Sequence, residues 1–361
     1  MFFGKKPKSF LGIDIGTSSI KVVQLKKEED RFKLETYGEI STINYLKRLT
    51  DAFQVTTLKT LEAITREMLK IILQKAEVTA EQAVLTIPVF SSFVSAIEMP
   101  AMAEKEMARA VEFEARRYVP ISLAEVVLDW QIVETGMIKD EVSPKPFKGT
   151  RIILIAVPRE VVNKYIKIAE GLDLRIGALE LETFSLTRSL MVYDKSPTCI
   201  LDIGARATSF TIVDKAVVQM SHSLDVAGAE MTQALATGLK VASTRAEEFK
   251  IAYGLNHREN KERRAEFQGF LSIPVDKIIS EIERMIGSYQ SKTARRIEKL
   301  ILNGGSAQMA GLKEYIEQKM NLKAFIATPW ARIIYPPVLQ ETLRKIGPQF
   351  SVAIGAAMRG K

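Results

Sequence analysis

Gly12-Ile-Asp-Ile-Gly-Thr-Ser-Ser-Ile-Lys21, near the start of the chain, is answered past its middle by Leu201-Asp-Ile-Gly-Ala-Arg-Ala-Thr-Ser-Phe210. In each copy an apolar strand delivers an aspartate, a glycine permits a sharp reversal, and small residues come next. This is the logic of a phosphate loop, in which bare backbone N–H groups approach an anion. The pattern predicts two hairpins, over residues 8–25 and 198–218, with Asp14 and Asp202 at their tips. Facing each other from two related domains, they would hold a polyphosphate and its Mg²⁺. A single copy would be no more than a strand ending in a tight turn. Repetition, in step with other phrases along the chain, makes it a motif.

The chain has 361 residues, which suits two domains rather than one. With 47% apolar and 26% charged residues it has the composition of a globular protein with an ample core. Its apolar runs fall far short of the ~20 residues needed to span a bilayer. The basic start Met-Phe-Phe-Gly-Lys-Lys-Pro-Lys lacks the apolar stretch of a signal peptide, because Asp14 interrupts the apolar residues after it. A cytoplasmic location is therefore expected. One cysteine, Cys199, excludes an intramolecular disulfide and reads as a small buried hydrophobe. With two histidines, His222 and His257, a His/Cys metal cluster is not expected. The net charge of +8 is modest. Residues 256–266 and 292–299 mix both signs at helical spacing, so they read as solvated helix faces and no nucleic-acid partner is expected. Lys5, Lys6 and Lys8 would attract an anionic membrane surface weakly.

Along the chain, residues 56–76 place Leu58, Leu61, Ile64, Met68, Ile71 and Ile72 at helical spacing. Residues 83–88 read as a buried strand. The texture then changes: a strand at 93–99, a charged helix at 103–118, alternating strands at 128–134 and 150–157 joined by a Pro/Gly-bearing loop at 142–149, and a helix at 158–169. The expected block, 83–175, is an inserted α+β subdomain. Residues 176–193 return as strand and helix. Helices are expected at 231–239, 244–253 and 275–298, then a strand at 299–303 ending in Gly304-Gly305. A small, apolar terminal helix is expected at 351–358, with Gly355 for close approach. The domains so expected are residues 1–82 with 176–197 and 345–361, the insert 83–175, and residues 198–344 with a helical part at 229–298.

Asp14 and Asp202 are the candidate Mg²⁺ carboxylates, acting through water. Lys21 on the return strand is a candidate point charge for a phosphate, the alternative being a surface strand residue. Gly16, Thr17 and Ser18 offer turn donors in the first hairpin, and Gly204, Ala205 and Arg206 the facing ones in the second. Arg206 either contacts a phosphate or projects into solvent. Gly228 precedes a helix. Glu247 and Lys250, three apart on one helix, belong to the candidate nucleotide set or form an exposed ion pair. Gly304, Gly305 and Ser306 let a base and ribose lie against bare backbone at a helix start.

In this order the phrases resemble the actin/heat-shock ATPase superfamily, an α/β, actin-like (ribonuclease H-like, duplicated) fold. Within it the resemblance narrows to the PilM family of type IV pilus assembly proteins, relatives of FtsA. It is carried by Glu98-Met-Pro-Ala-Met-Ala-Glu-Lys-Glu-Met107, Glu112-Phe-Glu-Ala-Arg-Arg-Tyr-Val-Pro120, Val127-Leu-Asp-Trp-Gln-Ile132 and the N-terminal Phe3-Gly-Lys-Lys. The insert is accordingly FtsA-type. Glu180-Leu-Glu-Thr-Phe-Ser-Leu186 resembles the superfamily's first connecting segment and residues 352–360 its last connecting helix.

The resemblance implies a cytoplasmic adaptor that binds ATP or ADP with Mg²⁺ and captures the N-terminal tail of the inner-membrane protein PilN near the insert. It would thus be peripheral to the inner membrane through its partner and linked to the pilus motor ATPases. Glu182 would orient or deprotonate an attacking water. The chain has Glu182-Thr183 where MreB-type sequences have Glu-Pro, and its second loop is poor in glycine, so slow hydrolysis or mere occupancy both fit. Two other classes remain: an FtsA- or MreB-like filament former that self-associates, and a sugar or acid kinase of the superfamily.

Overall fold

The computed structural model describes residues 9–42, 58–138, 147–172, 174–191, 194–256 and 261–360. Lys5, Lys6, Lys8, the N-terminal phrase, His257 and loop residues 142–146 lie outside the described residues. The elements run β1 (Ser9–Ile15), β2 (Ser19–Glu28), β3 (Arg31–Ser41), α1 (Leu58–Lys75), β4 (Gln82–Ile87), β5 (Phe93–Pro100), α2 (Glu104–Tyr118), β6 (Val126–Ile138), β7 (Phe147–Pro158), α3 (Arg159–Ala169) and β8 (Arg175–Leu181). They continue with α4 (Glu182–Leu190), β9 (Thr198–Ile203), β10 (Thr208–Asp214), β11 (Val217–Leu224), α5 (Gly228–Leu239), α6 (Ser243–Tyr253), α7 (Lys261–Thr293), β12 (Lys299–Asn303), α8 (Leu312–Met320), β13 (Ala324–Ile326), β14 (Ile333–Ile334) and α9 (Gln340–Ala357).

Two units result, each with its own sheet. The first comprises Met1–Pro88, Pro158–Val192 and Thr328–Lys361. Its six strands lie in the order β14-β3-β2-β1-β4-β8. β1 and β2 pair antiparallel, whereas β1, β4 and β8 run parallel. Because helices pack against this sheet, β1 and the first seven residues of β2 are buried almost throughout. This is why they read as unbroken apolar runs rather than alternating ones. Only glycine admits the closest of these contacts. A Cβ on Gly12 of β1 would stand 2.0 Å from the Ala353 carbonyl oxygen of α9, and one on Gly355 of α9 would stand 1.9 Å from that of Ser185 in α4. The close approach expected at Gly355 is thus a contact between two helix backbones.

The second unit comprises Val89–Val157 and Tyr193–Ala327. Its eight strands are ordered β13-β12-β9-β10-β11-β5-β7-β6. β9 pairs antiparallel with β10 and parallel with β12. Its core sets Leu201, Phe210 and Ile212 against Met231 of α5 and Leu271, Ile278 and Ile282 of α7. β5 continues the sheet from β11 at Met220 opposite Ser95, and pairs antiparallel with β7. α2 covers these strands through Met107, Val111 and Ala115, packed on Ile97, Met99 and Leu154. β4, at the start of the expected insert, lies between β1 and β8 in the first sheet, and α3 also belongs to the first unit. Cys199 is buried, which pushes its thiol up to about 12.

Two helices differ from their readings. Instead of 351–358, α9 runs Gln340–Ala357, and instead of 275–298, α7 runs Lys261–Thr293. Pro274 lies inside α7, where it forfeits one backbone donor without ending the helix. Ala294 ends it by turning left-handed at φ 54°. No described helix is long and apolar enough to cross a membrane.

Gly12→Ala is expected to destabilise the protein by about 2 kcal/mol or more, since both colliding partners are backbone. Gly305→Ala, where an added Cβ meets nothing within 4 Å, should leave the thermal midpoint of the nucleotide-free protein unchanged. Thermal unfolding of the two variants side by side checks the contrast.

Candidate functional site

The two predicted hairpins form the same turn. Gly16 N–H donates to the Ser19 carbonyl at 3.0 Å, and Gly204 N–H donates to that of Ala207 at 3.0 Å. In both, a Cβ on the glycine would press on the accepting oxygen, at 3.0 and 2.9 Å. Gly16, Thr17, Ser18 and Ser19 thus correspond to Gly204, Ala205, Arg206 and Ala207. The register carries the correspondence onward: Asp14 lies opposite Lys21 as Asp202 lies opposite Ser209. The duplication is geometric, and its charges are not symmetric.

In the first unit Asp14 is buried at the end of β1. Burial raises its carboxyl above the ordinary carboxylate range; Lys21 opposes that shift and so does the Thr86 hydroxyl, 3.5 Å from Oδ1, while Glu39 adds to it. Lys21 is not a surface strand residue but is itself buried, donating to the Ser19 hydroxyl at 2.7 Å with Glu39 at 3.7 Å. Thr17 accepts from the Thr42 hydroxyl at 2.9 Å and Ser18 from Thr42 N–H at 2.9 Å, so the end of β3 braces the turn. Glu182 is the first residue of α4, immediately after β8. The Tyr165 phenol, on α3, is buried and held well above its usual range, mainly by that burial and then by the charges of Glu182 and Asp14. One ring therefore feels both carboxylates.

Nothing in the sequence singles out Tyr165, since a lone tyrosine on an amphipathic helix carries no spacing signal. Glu180, at the head of the quoted connecting segment, carries no spacing signal for its distant partners. It is buried, accepts from Arg188 at 2.5 and 2.8 Å, Ser185 at 2.7 Å and Arg359 at 3.1 Å, and Arg188 also donates to the Gly355 carbonyl at 2.6 Å. This fork locks the β8–α4 junction, and with it Glu182, onto the end of α9.

In the second unit the predicted segments converge on the tip of β9. Gly228 N–H donates to the Gly204 carbonyl at 3.1 Å and Ala229 N–H to that of Ala205 at 2.8 Å, seating the start of α5 on the turn. A Cβ on Gly228 would strike Ser306 Oγ at 2.6 Å and approach Lys250 Nζ at 3.3 Å. Gly304 adopts φ +90° beside Asp202, whose Oδ1 a Cβ there would reach at 2.6 Å. The same Oδ1 accepts from Asn303 at 2.9 Å. Gly305 faces open space and Arg206 is exposed.

Lys250 and Glu247 are not the exposed ion pair that their spacing alone suggested. Lys250 is buried and donates to the Gly228 carbonyl and the Thr232 hydroxyl, both at 2.9 Å, with Glu247 at 2.7 Å. Its ammonium therefore holds the first turn of α5 against α6. No group of three or more His, Cys, Asp or Glu side chains suited to a metal ion occurs among the described residues.

The chain matches the family described as type IV pilus assembly protein PilM over residues 12–361. It belongs to that family. Its architecture is similar to the PilM–PilN type IV pilus biogenesis complex at 23% identity, covering 97% of this chain and 98% of that one, with a TM-score of 0.78. The cell division protein FtsA of Staphylococcus epidermidis is 21% identical over 96% of this chain and 77% of its own length. MreB5 of Spiroplasma citri bound to AMPPNP, at 12% identity, covers 99% of this chain and 97% of its own with a TM-score of 0.53. The PilM-family chain thus has the actin-like fold.

Asp14 generates a prediction of definite sign. A carboxyl raised in the folded state binds its proton more tightly there than when unfolded, so stability falls as pH rises from the ordinary carboxylate range through the raised value. Asp14→Asn should accordingly raise the thermal midpoint at neutral pH, and the gain should shrink as pH is lowered towards about 4. Thermal unfolding of both proteins across that range tests it; a variant less stable than the parent at pH 7 would mean that Asp14 is a structural anchor.

Proposed function

We propose that this chain is an ATP-binding adaptor of the type IV pilus machine, cytoplasmic and peripheral to the inner membrane, which takes up the cytoplasmic N-terminal tail of a PilN-type protein and ties it to the pilus motor ATPases. The observation that carries the nucleotide part is the repeated glycine turn, each copy with an aspartate at its strand end. Membership of the PilM family and likeness along the whole chain to a PilM solved with PilN support the partner. An MreB of the same fold, solved with AMPPNP, supports the ligand class.

The residues present fit a Mg²⁺-nucleotide. Asp14 is a buried carboxylate short of positive charge, which a divalent cation would stabilise through water. Lys21 supplies an ammonium within the first turn, suited to a phosphate oxygen. Gly16 to Ser18 and Gly204 to Arg206 supply backbone donors, and Gly304, Gly305 and Ser306 a bare surface at the other end. Bound ATP would supply the polyanion for these donors. Glu182 would accept a proton from water, its place at the start of α4 fixed by the Glu180–Arg188 fork. Lys250 and Glu247 would act from behind, by fixing the start of α5. An extended PilN tail would be held by main-chain hydrogen bonds and side-chain pockets.

Lys21→Ala is expected to weaken ATP affinity about 10- to 100-fold, the equivalent of one charge-assisted hydrogen bond, as read by calorimetric titration. Glu182→Gln should bind ATP as the parent does but release no phosphate in a single turnover. Equal affinity in Lys21→Ala, or no affinity in the parent, would remove the nucleotide assignment. A labelled peptide of the PilN N-terminus should bind the parent in fluorescence anisotropy, and failure with and without ATP would remove the partner.

A further inference from the structure

The fold gathers at one end of the second unit a set of cations scattered widely along the chain. β9, β12 and β13 begin there and β10 ends there, opposite the end that carries Asp202 and Gly304. Lys215 N–H donates to the Lys195 carbonyl at 3.1 Å, Glu298 N–H to that of Pro197 at 2.9 Å, and Leu300 N–H to that of Lys323 at 2.8 Å. Residues 194–198, 214–216, 292–299 and 323 are therefore one contiguous surface. It carries seven Lys or Arg against three acidic residues, a surplus of four and half the net +8 of the chain.

The acids are mostly spoken for. Asp194 pairs with Lys299, and Asp214 with Arg295 at 2.9 Å and the Tyr289 hydroxyl at 2.7 Å. Lys195, Lys215, Lys292 and Arg296 are exposed and form no ion pair among the described residues. Lys323 is exposed beside Glu317, which also pairs with Lys313 at 3.5 Å. The reading of 292–299 as a helix face does not hold here, because α7 stops at Thr293 and the later cations lie off the helix.

We infer that this end of the second unit is a docking surface for the anionic phospholipid headgroups of a membrane leaflet. The exposed set is four lysines and one arginine, compact charges on flexible stems that suit a diffuse anionic field better than bidentate recognition of a fixed partner. Phe325, 49% exposed, lies two residues beyond Lys323 and so on the same face of β13, where a ring can enter the headgroup layer. The surface lies at the end of the second unit's sheet opposite Asp202 and Gly304.

The test uses the full chain and vesicles of phosphatidylglycerol with phosphatidylethanolamine, against vesicles of phosphatidylcholine alone, in sedimentation at low salt. Binding is expected to the anionic vesicles only and to vanish near about 0.5 M salt, where screening shortens to a few Å. Replacing Lys215, Lys292 and Arg296 together by Gln should weaken it about 100-fold, at about fivefold per cation. These side chains are exposed, so the thermal midpoint and ATP retention should match the parent. A failure here therefore leaves the nucleotide reading intact. Equal binding to both vesicles overturns the inference. So does undiminished binding by the triple Gln variant, or its loss instead in Lys5→Gln/Lys6→Gln/Lys8→Gln. Preference for duplex DNA over the anionic vesicles at matched salt overturns it as well.

Discussion

The first unit depends on backbone meeting backbone at Gly12 and Gly355. No side chain intervenes between β1 and α9 at the one, or between α9 and α4 at the other. A side chain at either point would push the helix away, and packed interiors do not yield by small continuous shifts. The constraint has two consequences. The β1 end that carries Asp14 and the α4 start that carries Glu182 are both referred to the same helix. The end of α9 is then close enough for Arg188 to reach both Glu180 and the Gly355 carbonyl. The candidate acid–base residue thereby inherits its position from a glycine contact and a buried charge fork.

The two hairpins show how a duplicated fold can share a backbone and divide its chemistry. The turns share the closing hydrogen bond from the glycine N–H to the carbonyl three residues on. Across from its aspartate, the first offers a buried ammonium and the second a serine hydroxyl. In place of Ser18 the second has the exposed guanidinium of Arg206. The first turn thus holds its positive charge in place, at a desolvation cost, while the second carries its charge on a solvated arm. The second aspartate accepts from the neutral amide of Asn303, on the neighbouring parallel strand.

Much of this was legible because it is local. Strand, aspartate, glycine and turn occupy a handful of consecutive residues, so their spacing encodes the hairpin directly, and the apolar runs of β1 and β2 reflect burial on both faces. The legible part ended where partners came from distant segments. Glu180 is held by residues five, eight and 179 positions away. Spacing suggested that Lys250 paired with Glu247 on an open face, yet what seals it is Gly228, 22 positions earlier. The length of α7 was hidden for a different reason: the tertiary packing of Leu271, Val275 and Ile278 carries the helix through Pro274.

The two buried charges differ in how they are satisfied. Lys250 has a hydrogen-bonding partner for each of its three ammonium protons, which is the condition under which a buried cation supports a fold. Asp14 has no such arrangement. Its nearest cation, Lys21, donates to Ser19 instead, and the hydroxyl of Thr86 stands at 3.5 Å while also serving the Ile13 carbonyl at 3.2 Å. Burial raises the Asp14 carboxyl, and Lys21 and the Thr86 hydroxyl oppose that shift. Lys250 thus has three close partners in one unit, whereas Asp14 in the other has one long hydrogen bond from Thr86.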